Sequence, residues 1–179
     1  MTCTGHAARR IGRRGPALAA ALAALAPCGC AIGGRQPRAT TAALRRVAAA
    51  VRVDAYGRPV SLAPLLAGRA VLFFFRSDCP HCAPDLAAAP GLADRRGAPA
   101  LVLVSREAPA ALRAALGAAP PRGLVVVSDG DGAIMDSALV TRFVPRVVAV
   151  ERYKVRRDVT GGAPGTLAAA MATASGAAP

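Results

Sequence analysis

Five apolar residues, Val71 to Phe75, run unbroken toward Cys79-Pro80-His81-Cys82, and a stretch compatible with a helix, Asp85 to Ala89, follows. Few folds accommodate that order. A continuous apolar run bounded by turn residues reads as a strand buried on both faces, which requires helices above and below its sheet. The strand's end delivers two cysteines to the start of a helix. Unpaired backbone N–H groups and the helix dipole favour an anion there, and the thiolate is the reactive form of cysteine. The expectation is that Cys79 is the attacking thiol. Cys82, one turn along, is placed to resolve a mixed disulfide formed at Cys79. Pro80 and His81 lie between them as modulators, a partly charged imidazole stabilising the thiolate further.

The flanking chain supports an α/β layered fold. Val51 to Ala55 alternates apolar and polar, Tyr56 to Pro59 is a turn, and Val60 to Leu62 returns, a hairpin pattern. Pro64 to Leu66 is compatible with one helical turn stopped by Gly68. Pro84 stands near the start of the helix after the cysteines, and Pro90-Gly91 is expected to break it. Ala100 to Val104 and Leu124 to Val127 read as buried strands, separated by the helical stretch Ala108 to Leu116. A turn at Asp129 to Gly132 and a short helix over Ile134 to Val140 come next. Val147 to Val150 and Val155 to Val159, joined by a tight turn, are expected to pair antiparallel and make the sheet mixed. An alanine-rich helix, Thr166 to Ala174, closes the pattern.

The chain has 179 residues and is 54% hydrophobic, but only 3% aromatic, so Leu72, Phe73 to Phe75 and Val125 to Val127 must carry much of the burial. The formal charge is +13, nearly all from arginine, Lys154 being the only lysine. The arginines are scattered, without a basic stripe or an aromatic platform, which argues against nucleic acid as a partner. Four of them, Arg9, Arg10, Arg13 and Arg14, precede the apolar run Ala17 to Ala26. A positive flank followed by a short apolar core is the layout of an export segment, and the run is shorter than the ~20 residues a spanning helix needs. Residues 1–30 are therefore read as a signal peptide or a lipoprotein or membrane anchor, with Cys28 and Cys30 as lipidation candidates. Residues 31–49 are read as a linker, with a short helix around Thr41 to Ala50. A redox domain over 50–175 and a frayed tail, 176–179, complete the expected organisation. Export implies a periplasmic or other extracytoplasmic location, membrane-anchored if lipidated, where disulfides persist.

Other uses of the cysteine pair are weighed by donor count. A zinc site lacks its second pair, and His6, the only other histidine, lies in the export segment. An inert structural disulfide or a two-cysteine copper site remains open.

At this point the chain resembles the thioredoxin-like proteins of the TlpA/ResA type, relatives of the AhpC/TSA superfamily. Val53 to Leu62 is similar to that family's leading hairpin. Gly68 to Phe75 is similar to its central strand running into Cys79 to Cys82. Val126 to Asp129 and Phe143 to Val150 are similar to its later strands. The resemblance covers about residues 50 to 162. It implies a thioredoxin-like fold with a mixed sheet flanked by helices and an N-terminal hairpin. It also implies a cis proline at Pro145 facing the cysteines, with the backbone of Val144 left to pair with a substrate strand. Asp85 falls where the family often has glutamate, so Asp85 and Asp78 are the proton-relay candidates. Ser77 and Asp78 stand where the family usually has an aromatic, and the peroxidatic Thr-x-x-Cys pattern is absent.

The implied activity is thiol–disulfide exchange with protein clients. No cofactor beyond the redox-active disulfide is expected, and no metal. An upstream membrane redox partner is. The alternatives are a copper metallochaperone and an assembly factor resembling MauD.

Overall fold

The computed structural model describes residues 36–49, 51–119 and 122–176. Five strands form the central sheet: β3 (Arg69–Phe74), β4 (Ala100–Ser105), β5 (Leu124–Ser128), β6 (Arg146–Glu151) and β7 (Lys154–Thr160), in the order β5-β4-β3-β6-β7. β3, β4 and β5 run parallel, while β6 and β7 are antiparallel to their neighbours. A separate hairpin, β1 (Val51–Val53) with β2 (Pro59–Ser61), precedes them.

The inner stretches of β3, β4, β5 and β6 are apolar because both faces of the sheet are covered there, whereas β7 at the sheet edge carries Lys154, Arg156, Arg157 and Asp158. The inner side chains alternate between two cores. Val71, Phe73 and Phe75 point to one core, with Leu101, Leu103, Val147 and Ala149; Ala70, Leu72 and Phe74 point to the other, with Val102, Val104, Val148 and Val150. The three phenylalanines are fully buried, each worth about 1.5–3 kcal/mol relative to exposure. α3 (Ala83–Ala93), α4 (Pro109–Leu116) and α5 (Thr166–Ser175) supply the first core, through Ala89, Leu92, Leu112, Leu167 and Met171. α1 (Thr41–Ala49), α2 (Ala63–Ala67) and a π-helical segment, Ala133–Ala138, supply the second.

Three sequence expectations need correction. The short helix expected around Thr41 to Ala50 is present as α1, but over 36–49 the span read as a linker is packed: α1 buries Ala43, Leu44 and Val47 in the second core, and Ala39 is buried just before it. The polar surroundings of α1 masked a narrow apolar stripe. Pro90 does not end the helix after the cysteines, which continues to Ala93. Ala89 and Leu92 are buried while Pro90 faces solvent, so core packing on either side of Pro90 carries the helix past the hydrogen bond that proline removes. The segment read as a short helix over Ile134 to Val140 is a π-helical turn ending at Ala138, and Val140 has left-handed backbone, φ +48°.

The hairpin turn is closed by Asp54, which is 1% exposed and whose backbone bridges to Val127 of β5. Its carboxylate accepts the backbone N–H groups of Tyr56 and Arg58 and the Nε–H of Arg58, at 2.9, 2.8 and 2.6 Å. Burial raises this carboxyl's pKa, and the Arg58 and Tyr56 hydrogen bonds with the Arg58 charge more than offset it, leaving it below the usual range. The adjacent Ala55 N–H donates to the Val126 carbonyl of β5 at 2.7 Å. Among the described residues no helix is long and apolar enough to cross a membrane.

Candidate active site

β3 and β4 are parallel and in register, Phe74 opposite Val104, so the segments leaving their C-terminal ends emerge side by side. Phe75 extends the pairing by donating to the Val104 carbonyl at 3.1 Å. Next, Ser77 donates its N–H and its hydroxyl to Glu107, the hydroxyl at 2.6 Å. Arg76 holds Asp78 in a two-pronged ion pair, 2.6 and 3.0 Å. The turn closes with the Cys79 N–H on the Arg76 carbonyl and the Cys82 N–H on the Cys79 carbonyl, at 3.2 and 3.0 Å. The regular helix begins at Ala83 with Cys82 as its N-cap. Cys79 is thus in the turn that feeds the helix, one turn earlier than its first regular residue, because the i to i+3 bonding of residues 79–82 is tighter than an α-helix.

The two sulfurs are placed unequally. Cys79 is half-buried and Cys82 fully buried, and both thiols are free. Burial, followed by a hydrogen bond with Cys79, pushes the Cys82 thiol up to about 12. The Arg76 backbone N–H pulls the other way, while the negative charges of Cys79 and Asp85 add to the rise. The more accessible of the two is the first cysteine; the second is sheltered and kept protonated.

Pro80 and His81 are exposed on the turn. Asp78 is 63% exposed and committed to Arg76. Asp85 is 3% exposed and accepts the N–H groups of Gly165 and Leu167, at 3.1 and 3.3 Å, which caps the start of α5. The structure therefore brings Asp85 to the buried side of Cys82 and leaves Asp78 at the surface.

The Val144–Pro145 peptide bond is cis. Phe74 of β3 pairs with Arg146 of β6, so one further step of the antiparallel register sets Phe75 against Pro145 and Arg76 against Val144. Cys79 and Val144 pack against the same core. The Pro145 carbonyl is occupied by the Gly161 N–H at 2.7 Å, whereas the backbone N–H and carbonyl of Val144 have no hydrogen-bond partner among the described residues. A groove of about 410 Å³ opens beside Val144, lined by Arg76, Arg106, Glu107, Met135, Thr141 and Arg142.

Sequence reading missed Glu107, although its place directly after a strand parallel to β3 puts it at the same end of the sheet as Cys79. It also missed Arg146, the residue after the cis proline, which is fully buried and paired with Asp158 through two bonds of 2.9 Å. Cys3, Cys28 and Cys30 lie outside the described residues, as do the export segment and the last three residues of the tail. Among the described residues no three His, Cys, Asp or Glu side chains gather as metal ligands would.

No protein-family model and no curated protein matches the sequence. Solved structures do. DsbF of MTB, in mixed oxidized and reduced forms, superposes with a TM-score of 0.62 at 18% identity, over 78% of this chain and 99% of that one. A secreted Mycobacterium tuberculosis disulfide oxidoreductase homologous to E. coli DsbE gives 0.54 at 22%, over 72% and 97%. Peroxiredoxin Q of Xanthomonas campestris gives 0.58 at 18%, over 76% and 98%. The fold is thioredoxin-like. The thioredoxin-like proteins it superposes on include both disulfide oxidoreductases and a peroxiredoxin, so the chemistry of this thioredoxin-like domain has to be argued from its own Cys79 to Cys82 turn.

Proposed function

We propose that the protein is a thiol–disulfide oxidoreductase that exchanges disulfides with protein clients through Cys79 and Cys82 in an extracytoplasmic compartment. One observation carries the reading: a half-buried Cys79 and a fully buried Cys82 are held in one tight turn, closed by the Cys82 N–H on the Cys79 carbonyl at 3.0 Å, at the end of the central strand. In the reducing direction, the Cys79 thiolate attacks a client disulfide, forming the Cys79–client bond and expelling the client's other sulfur as thiolate. Cys82 then loses its proton and attacks Cys79, giving the Cys79–Cys82 disulfide and releasing the second client thiolate. Run backwards, the same steps oxidise a client dithiol. The unpaired backbone of Val144 offers an extended client a strand to pair with. Asp85, a buried carboxylate whose charge acts on Cys82, is the candidate acceptor for the proton Cys82 must shed.

The extracytoplasmic location is supported by the basic-then-apolar layout of the first 30 residues and by the similarity to a secreted disulfide oxidoreductase. Lipidation at Cys28 or Cys30 would anchor the domain to the membrane near its redox partner.

Insulin reduction and scrambled-ribonuclease refolding test the activity. The expected result is turnover in at least one of the two assays that is lost in Cys79→Ser. Tight stoichiometric Cu(I) binding without exchange would point to a metallochaperone instead, and peroxide consumption without exchange to a peroxidase.

A further inference from the structure

The first described residue, Gln36, is docked on the loop that leads to the cis proline. Its side-chain Oε1 accepts the backbone N–H groups of Arg142 and Phe143, at 2.8 and 3.3 Å, and its Nε2 donates to the Val140 carbonyl at 2.5 Å. Val140 is a β-branched residue at φ +48°, a conformation that persists only where surrounding contacts over-determine it. The two preceding carbonyls are also met by side-chain donors: Arg46 reaches Ala138 at 3.4 Å and Arg146 reaches Leu139 at 2.8 Å. These carbonyls close the π-helical segment, where acceptors run out of partners within the helix. The chain after Gln36 is pinned as well, the Pro37 carbonyl accepting from Arg146 at 2.8 Å and the Ala39 N–H donating to Asp158 at 2.6 Å.

We infer that Gln36 is a positioning residue for client binding: it fixes the Val140–Phe143 loop and with it the backbone edge of Val144. This rests on the thiol–disulfide reading above. A client strand that pairs with Val144 gains most if that edge is already held; a loose loop must be ordered at the moment of binding, which weakens association without altering the sulfurs. A small disulfide needs no strand pairing and does not sense the loop. Gln36 reaches the loop from a segment about a hundred residues away in the chain, which makes the N-terminal approach to the domain part of its client surface.

The test uses the full chain with Gln36→Ala, Gln36→Glu and, as a control, Arg45→Ala, an exposed side chain on α1. Gln36→Ala is expected to raise KM for scrambled ribonuclease about tenfold, the loss of a few hydrogen bonds. Its kcat and its rate with hydroxyethyl disulfide should change less than about twofold. Gln36→Glu keeps the acceptor for Arg142 and Phe143 but not the donor to Val140, and should fall between. An equal loss toward both substrates, or no loss toward either, overturns the inference. Hydrogen exchange reads the loop directly: the Arg142 and Phe143 amides should exchange about tenfold faster in Gln36→Ala, and unchanged exchange also overturns it. Should the wild type exchange with neither substrate, the redox reading fails on its own, while the amide measurement still decides whether Gln36 holds the loop.

Discussion

At the scale of single residues, the division of labour between the cysteines comes from burial. The Cys82 thiol, pushed up to about 12 from an ordinary value of 9.0, has a thiolate fraction of roughly one in ten thousand at pH 8. Burial, the largest cause of that rise, remains when Cys79 is replaced, so Cys82 in a Cys79→Ser variant should react with iodoacetamide at least about tenfold more slowly than an ordinary thiol, as followed by mass spectrometry; rapid alkylation would show that Cys82 is not sheltered. Linkage gives a second sign. A folded-state pKa above the unfolded value adds stability below pH 9 that is lost as pH rises toward 12. The reduced protein should accordingly lose stability relative to Cys82→Ala across that window, measured by denaturant midpoints. The cysteine pair was legible in the sequence because its chemistry depends on a three-residue spacing and on the strand just before it. Gln36, Glu107 and Arg146 were not, because each acts on backbone brought near by the fold and carries no local signature.

At the scale of elements, α3 links the site to α5 through Asp85. Its carboxylate takes the N–H groups of Gly165 and Leu167 at the start of α5, while its charge helps keep Cys82 protonated. Asp85→Ala leaves those donors without their acceptor and should cost about 1–3 kcal/mol in chemical denaturation; it should also make Cys82 easier to ionise. A change below a few tenths of a kcal/mol would mean that the cap carries no weight. The strands and most helices were readable from apolar runs and turn residues, with β3, β4, β5 and β6 within two residues of the expected bounds. What was not readable follows from tertiary packing. Buried Ala89 and Leu92 override the break expected at Pro90, and the stripe Ala43, Leu44 and Val47 turns a supposed linker into part of the core. Side-chain donors from distant segments hold Val140 in a backbone conformation that its residue type disfavours.

At the scale of the whole molecule, the buried Arg146–Asp158 pair ties together the approach to α1, the loop before the cis proline and the two antiparallel strands. Arg146 also donates to the carbonyls of Pro37 and Leu139, and the Ala39 N–H to Asp158. Breaking such a pair strands a charge in the interior, so Arg146→Ala should cost about 3–5 kcal/mol. Arg146→Lys should recover little, since one ammonium cannot reproduce the fork. A loss under about 1 kcal/mol for Arg146→Ala would contradict a structural role. Within this frame the domain presents one cysteine to solvent and keeps its partner underneath. The most direct measurement is the trapping of mixed disulfides with a reduced variant and a disulfide-bonded client. Cys82→Ser should accumulate a covalent adduct through Cys79, whereas Cys79→Ser should accumulate none. Adducts formed only by Cys79→Ser, through Cys82, would contradict the account.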